Sequence, residues 1–183
     1  GGWVARILAT ELKMDIVGSE LIHKVAESAH MSDKVIKSLD EKSISLFDSI
    51  IHSFFEARHI WPDEYLRHLS MVMHTTAEHG NVIIIGRGGS FILKGKAFRL
   101  RIVAPRDARV ERVMRDRHIE QAEALAYVQT YEADQAGFVR KYFNEDINDP
   151  KHYDMIVNTE HVGIESAAES IQKAFLTWRA ARV

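Results

Sequence analysis

A short turn of glycines that carries one arginine follows an apolar segment of the chain. Residues 82–85 are all apolar, and Gly86, Arg87 and Gly88 come directly after them. Glycines let backbone N–H groups approach an anion closely, and a guanidinium donates to phosphate oxygens through a planar fork. Because open α/β sheets bind ligands at the carboxyl ends of their strands, this turn predicts a phosphate site. An ordinary strand-to-helix turn with a solvent-facing arginine accounts for the same residues equally well.

A cluster of arginines follows the next apolar segment, which ends at Pro105. Its members are Arg106, Arg109, Arg112, Arg115 and Arg117. Arg109 and Arg112 are three residues apart and therefore share one face of a helix. A polyphosphate carries more charge than one cation balances, so this pair fits a nucleotide. Three acids are interleaved with the arginines, however, and a solvated charged face explains the segment better when it is taken alone.

A third charged stretch begins near Glu132, includes Arg140 and extends to residue 150. A mobile helical hairpin of this composition would close over a nucleotide and exclude water from it. A surface helix with ion pairs between residues four apart explains the same stretch more simply.

Composition limits the classes of ligand. The 183-residue chain has a formal net charge of -2, so we expect neither nucleic acid nor an anionic membrane as a partner. No cysteine is present, which excludes disulfides and thiolate metal sites. The ten histidines match no metal-binding spacing, so we predict no metal ligands in the protein. The sequence contains neither an apolar stretch long enough to span a bilayer nor a signal-peptide pattern, and a cytoplasmic location is expected.

Apolar spacing predicts helices that alternate with short strands. Helices are predicted at residues 4–12, 19–29, 32–39, 44–55, 62–79, 107–117, 122–142 and 164–179. Strands are predicted at 82–85, 98–104 and 155–157, with 14–17 as a strand or a connector. This alternation is typical of an α/β fold with a parallel sheet and helices on both faces. We therefore predict a single domain over residues 1–183 with a helical insertion at 19–79.

Taken in order, these segments resemble the cytidylate kinase-like family of P-loop nucleoside-monophosphate kinases. The likeness covers nearly the whole chain and depends on the order and spacing of its pieces. These pieces are the first helix, the Gly-Ser turn at 18–19, the strand and Gly-Arg-Gly segment at 82–93, the strand, Ala-Pro pair and arginine-bearing helix at 101–112, and the closing segments 140–143, 149–150 and 153–159.

The resemblance implies a P-loop kinase-type three-layer fold with a parallel sheet, a helical acceptor-binding insertion and a lid near residues 118–150. It also implies transfer of the γ-phosphoryl group of ATP to a nucleoside monophosphate, with Mg²⁺. On this reading the protein positions the reactants and neutralises their charge.

The resemblance assigns roles residue by residue. Arg87, flanked by Gly86 and Gly88, would hold the phosphate of the acceptor, and Ser19 would begin the acceptor-binding helices. The catalytic cations would be Arg109 and Arg112, which face the transferring phosphoryl group, and Arg140 in the lid. Gly1 and Gly2 would be the end of the phosphate loop, whose amides face the donor phosphates.

Four features depart from the family pattern. The first strand and most of the phosphate loop are expected before residue 1, so we expect no turnover without them. Gly18 stands where relatives often have an aspartate, and Gly88 stands where cytidylate kinases proper have one. Gln135 stands where a lid arginine is usual. These replacements favour an alternative, a nucleotide-binding regulatory module that has lost turnover. The apolar face at 44–55 supports a third reading, a structural domain that forms a homodimer.

Overall fold

The computed structural model describes residues 1–18 and 62–182. Within these residues the chain forms six α-helices and four β-strands. In order they are α1 (Gly2–Leu12), β1 (Asp15–Val17), α2 (Pro62–Glu78), β2 (Val82–Ile84), α3 (Gly89–Ile92), β3 (Leu100–Val103), α4 (Arg106–Arg117), α5 (Gln121–Phe143), β4 (Met155–Asn158) and α6 (Ile164–Ala180). The predicted helices at 19–29, 32–39 and 44–55, together with Ser19, lie outside the described residues.

The strands pair in parallel, as the sequence predicts. β1 pairs with β2, with Asp15 opposite Val82 and Val17 opposite Ile84. β3 pairs with β4, with Leu100 opposite Met155. Among the described strands, β2 hydrogen-bonds to β1 and β3 hydrogen-bonds to β4, which gives two parallel pairs.

Helix ends follow the local signals in the sequence. Pro62 begins α2, and Gly80 follows its end with φ of 73°, a conformation that glycine adopts without strain. α5 continues without a break from Gln121 to Phe143. The charged residues around Arg140 therefore lie on one long helix and do not form a hairpin by themselves. The described residues form a helical hairpin from α4 and α5, which pack against each other.

Helices cover both faces of the strands. On one face α1 and α6 form an apolar cluster with the strands, whose buried members are Val4, Leu8, Val157, Ala167, Ala168 and Ile171. On the other face Leu69 and Met73 of α2 are buried with Leu93. Ile83 packs against the first cluster and Ile84 against the second, as alternating strand residues must. The predicted layering of helices on both sides of parallel strands is confirmed.

A third cluster fixes α5 against α4. Val110 of α4 is buried against Ala124 and Val128 of α5. This contact fixes the position of α5 along α4 and so determines which later residues of α5 lie beside the arginines of α4. In the part of the chain that the structure describes, no helix is both long enough and apolar enough to span a membrane.

Candidate active site

The turn that carries Arg87 has an unusual backbone. Gly86, Arg87 and Gly88 all have positive φ, at 77°, 52° and 69°. The N–H of Gly89 donates to the carbonyl of Gly86 at 3.0 Å, which closes the turn between β2 and α3. A non-glycine residue in this region costs about 1–2 kcal/mol. Strain of this kind concentrates at functional sites, so the conformation of Arg87 supports a ligand-binding role for the turn.

The carboxyl-terminal half of α5 covers this turn. A Cβ atom on Gly88 would lie 2.7 Å from Cε2 of Phe143 and 3.0 Å from Cε1 of Phe138. Phe143 in turn stacks on Phe91, with ring centroids 5.0 Å apart. The volume beside residue 88 is therefore filled by aromatic rings. An aspartate side chain at residue 88 would have to displace these rings.

Tyr131 on α5 lies near the guanidinium of Arg87. Burial raises the pKa of the Tyr131 hydroxyl and Tyr127 raises it further, while the charge of Arg87 and a hydrogen bond with Gln135 oppose them. Gln135, which stands where a lid arginine is usual, thus lies close to the hydroxyl of Tyr131. One helical face of α5 brings residues 131, 135 and 138 toward the Arg87 turn.

Arg109 is held at the carboxyl end of β3 by two acceptors. Its Nε donates to the carbonyl oxygen of Ala104 at 2.9 Å. Its Nη1 lies 2.6 Å from Oε1 of Glu132 on α5, whereas Nε of Arg106 lies 3.8 Å from Oε2 of the same carboxylate. The guanidinium of Arg109 therefore joins α4, α5 and the end of a strand.

Arg112 is held more tightly, and by a different part of the chain. Its Nη1 donates to Oγ1 of Thr159 at 2.8 Å, and its Nη2 donates to the carbonyl oxygen of Thr159 at 2.6 Å. Thr159 is 1% exposed, and its N–H donates to the carbonyl of Val103 at 2.9 Å. Arg112 thus ties α4 to the residue that follows β4, and the backbone of that residue is itself bonded to the end of β3.

Gly1 and Gly2 lie at the amino end of α1, and both are exposed. The positive charge of Arg112 lies within electrostatic range of the backbone nitrogen of Gly1. Gly1 is therefore close to Arg112, on the side of the molecule where β3 and β4 end. The amino end of a helix favours anions because its first N–H groups have no partner within the helix.

Arg140 does not join the other arginines. It is exposed near the carboxyl end of α5. It follows Tyr131 by nine residues, and with 3.6 residues per turn this places it on the opposite side of the helix. The structure thus brings Arg87 and Arg109 to one helix, and Arg112 to Gly1, but it leaves Arg140 apart.

The sequence did not indicate that Tyr131 and Phe138 belong to this region, or that Glu132 pairs with Arg109. The spacing of residues 131, 135 and 138 is the signal that identifies them, because it gives one face of a helix. That spacing does not reveal which other element the face contacts.

Comparisons with known proteins agree with this architecture. A model of the cytidylate kinase-like family matches residues 1–161. The chain is 28% identical over 175 residues to a cytidylate kinase of Ignicoccus hospitalis, covering 94% of this chain and 91% of that protein. It is 27% identical over 95 residues to a cytidylate kinase of Methanoregula boonei, covering 51% of this chain and 52% of that protein.

A solved structure shows the same fold. An uncharacterized protein from Eubacterium ventriosum superposes with a TM-score of 0.70 at 19% identity, covering 97% of this chain and 92% of that one. The predicted P-loop kinase-type α/β fold is thereby confirmed. The match over residues 1–161, together with the two cytidylate kinases, shows that the chain belongs to the cytidylate kinase-like family.

Proposed function

We propose that the protein transfers the γ-phosphoryl group of ATP to a nucleoside monophosphate, cytidylate-like, or to another small acceptor. Membership of the family implies nucleotide phosphotransfer at a general level. One observation of the structure supports the specific proposal. Two adjacent residues of α5 contact or approach two different arginines: Tyr131 lies near Arg87, and Glu132 forms an ion pair with Arg109.

The two arginines suit the two phosphates of such a reaction. Arg87 follows β2 in a strained turn, and we assign it to the phosphate of the acceptor. Arg109 is fixed at the end of β3, and we assign it to the transferring phosphoryl group. Phosphoryl transfer needs positioning and charge neutralisation more than covalent help from the protein, and guanidinium groups supply both.

Arg112 and the first residues of α1 suit the donor. Arg112 lies close to Gly1, where the amides of Gly1 and Gly2 would face donor phosphates. Two donor nitrogens of Arg112 already bind Thr159. We therefore assign Arg112 mainly to holding this edge of the fold, with its charge acting on the donor. Arg140, which lies on the far side of α5, receives the smallest role.

The residues present fit ATP and Mg²⁺, both of which the family generally uses. The arginines described above suit polyphosphate. Among residues 1–18 and 62–182, no group of three His, Cys, Asp or Glu side chains could hold a metal ion. Mg²⁺ keeps several waters and is commonly bound through substrate phosphates, so it would enter with the nucleotide. When bound, it would neutralise charge on the phosphates.

The acceptor side differs from that of cytidylate kinases proper. Gly88 lies beneath Phe138 and Phe143, so no side chain from position 88 reads the acceptor. We therefore propose that Arg87 recognises the phosphate of the acceptor and that base selectivity depends on other residues. Ser19, the predicted acceptor ligand of the insertion, lies outside the described residues and stays a prediction.

A phosphoryl-transfer screen tests the proposal. The protein, together with any natural residues that precede Gly1, is given ATP, Mg²⁺ and CMP, dCMP, UMP or AMP, and ADP is measured against a blank without acceptor. Acceptor-dependent ADP is expected. Arg87→Ala should raise the KM of the acceptor more than it changes ATP affinity, whereas Arg115→Ala, an exposed arginine of α4, serves as the matched control.

A nucleotide-binding regulatory module is the second candidate. The bonds between Arg112 and Thr159 favour it, because they occupy donors that would otherwise meet phosphate, and Gln135 is a neutral residue close to Tyr131. A module of this kind predicts ATP binding by calorimetry and a raised thermal midpoint, since a ligand of the folded state stabilises it. It also predicts no ADP above the blank with any acceptor.

A further inference from the structure

Glu132 makes the shortest ion pair to an arginine in the candidate active site, yet no role in the reaction assigned above requires it. We propose that Glu132 is a positioning residue, whose carboxylate fixes the Arg109 guanidinium in the orientation that meets the transferring phosphoryl group. The proposal rests on the proposed function and adds to it a residue that contacts neither the donor nor the acceptor.

The contacts of Arg109 fix the plane of its guanidinium. Nε donates to Ala104 at 2.9 Å, and Nη1 lies 2.6 Å from Glu132. Two acceptors on two different nitrogens of a rigid planar group leave it little freedom to rotate. Within residues 1–18 and 62–182, Nη2 has no hydrogen-bond partner, so the N–H groups of this one nitrogen remain available to a phosphate oxygen.

Buried packing determines where the carboxylate of Glu132 lies. Val128 is one turn before Glu132 on α5 and packs in the same cluster as Val110, the neighbour of Arg109. The apolar contact therefore sets the distance between the acid and the arginine. Arg106 is 3.8 Å from the same carboxylate and its side chain is 55% exposed, so it is a weaker partner.

The ion pair contributes little to folding. The side chains of Arg109 and Glu132 are 32% and 37% exposed, and ion pairs with that exposure add little stability. A large kinetic effect of replacing Glu132 would therefore not come from unfolding. The competing reading is that Glu132 masks Arg109 and must be displaced by phosphate. Nη2 has no partner among residues 1–18 and 62–182, which favours positioning, because a phosphate oxygen can accept from Nη2 without breaking the ion pair.

The test compares Glu132→Ala, Glu132→Gln, Arg109→Ala and the double variant Arg109→Ala/Glu132→Ala. Positioning predicts that Glu132→Ala lowers kcat about 10-fold, as loss of an orienting partner does, while the KM of the acceptor changes by less than about 2-fold. Glu132→Gln keeps an oxygen acceptor and should recover most of kcat. The double variant should be no slower than Arg109→Ala, because both act through one group.

Glu123→Ala is the control, since this exposed acid lies on the first turn of the same helix. It should leave kcat unchanged. The proposal is overturned if Glu132→Ala leaves kcat unchanged, if it raises kcat as masking predicts, or if the two replacements act independently.

Failure of the proposed function gives a different result. If the unaltered protein, with any natural residues that precede Gly1, forms no acceptor-dependent ADP with the nucleoside monophosphates tested, their phosphorylation is excluded and ATP affinity from calorimetry decides the role of Glu132. Positioning then predicts that Glu132→Ala weakens ATP binding only when Arg109 is present. Equal weakening with and without Arg109, or no binding of ATP by the unaltered protein, overturns the positioning role as well.

Discussion

Two neighbouring parts of the candidate active site are built by different forces. The Gly86–Gly88 turn is defined by packing, because aromatic rings of α5 lie where a side chain at residue 88 would be. The arginine row of α4, Arg109 and Arg112, is held by hydrogen bonds and by an ion pair between partly exposed side chains. A close-packed region cannot accept added atoms without strain, whereas a hydrogen-bonded surface region loses individual contacts one at a time. Replacement of Gly88 should therefore appear as loss of stability, and replacement of Arg109 mainly as loss of rate.

The largest effect is expected at Gly88. Gly88→Ala places a methyl group 2.7 Å from Phe143 in a backbone conformation that alanine disfavours, which together should cost about 2–4 kcal/mol of unfolding free energy. Gly88→Asp should cost at least as much. Urea unfolding measures both variants.

Gly137→Ala is the matched control for this prediction. Gly137 lies within α5, and a Cβ there meets nothing within 4 Å. Alanine should therefore raise stability by about 0.5–1 kcal/mol. Equal loss of stability for Gly88→Ala and Gly137→Ala would contradict the claim that packing defines the turn.

The second effect is expected at Arg109 and should be kinetic. Arg109→Ala removes a charge from the site of phosphoryl transfer and should lower kcat about 100-fold. Because its ion pair is partly exposed, stability should change by less than about 1 kcal/mol. Steady-state kinetics and urea unfolding of the same sample separate the two quantities. A stability loss as large as that of Gly88→Ala would remove the distinction between the two regions.

Arg112 should behave differently although it is one helical turn from Arg109. Arg112→Ala leaves the buried carbonyl and hydroxyl of Thr159 without two donors, which should cost about 1–3 kcal/mol of stability. Thr159→Val removes the hydroxyl alone and should cost less. If Arg112→Ala lowers kcat while the urea midpoint stays unchanged, Arg112 belongs with Arg109 as a group acting on phosphate.

The smallest effect is expected at Arg140. It is exposed and lies on the side of α5 away from Tyr131, so Arg140→Ala should change kcat by less than about 3-fold, within the range of a surface charge. Raising the salt concentration should reduce the difference further. A loss of kcat close to that of Arg109→Ala would show that α5 changes its orientation during the reaction.

The sequence predicted the elements better than their contacts. Pro62 and Gly80 marked the ends of α2, and residues 82–85 marked β2, because helix caps and apolar runs act locally. Arg87 was also recognisable, since a glycine turn after a strand has a local pattern. These signals depend on neighbours in the chain and need no knowledge of the fold.

Contacts between distant segments could not be predicted in the same way. The helical period shows that Tyr131 and Gln135 share a face, but not that the face meets Arg87. Nothing local to Gly88 indicates that Phe143, fifty-five residues later, fills the space beside it. Likewise the preference of Arg109 for Glu132, and of Arg112 for Thr159, depends on how α4 packs against α5 and β4.

The most direct test of the account is the kinetics of acceptor-dependent ADP formation by the unaltered protein, Arg87→Ala and Arg109→Ala, measured side by side, each with any natural residues that precede Gly1. The account predicts turnover by the unaltered protein, a raised acceptor KM for Arg87→Ala, and a lowered kcat with nearly unchanged KM for Arg109→Ala. Absence of turnover in the unaltered protein, or the same kinetic constants in all three proteins, would contradict it.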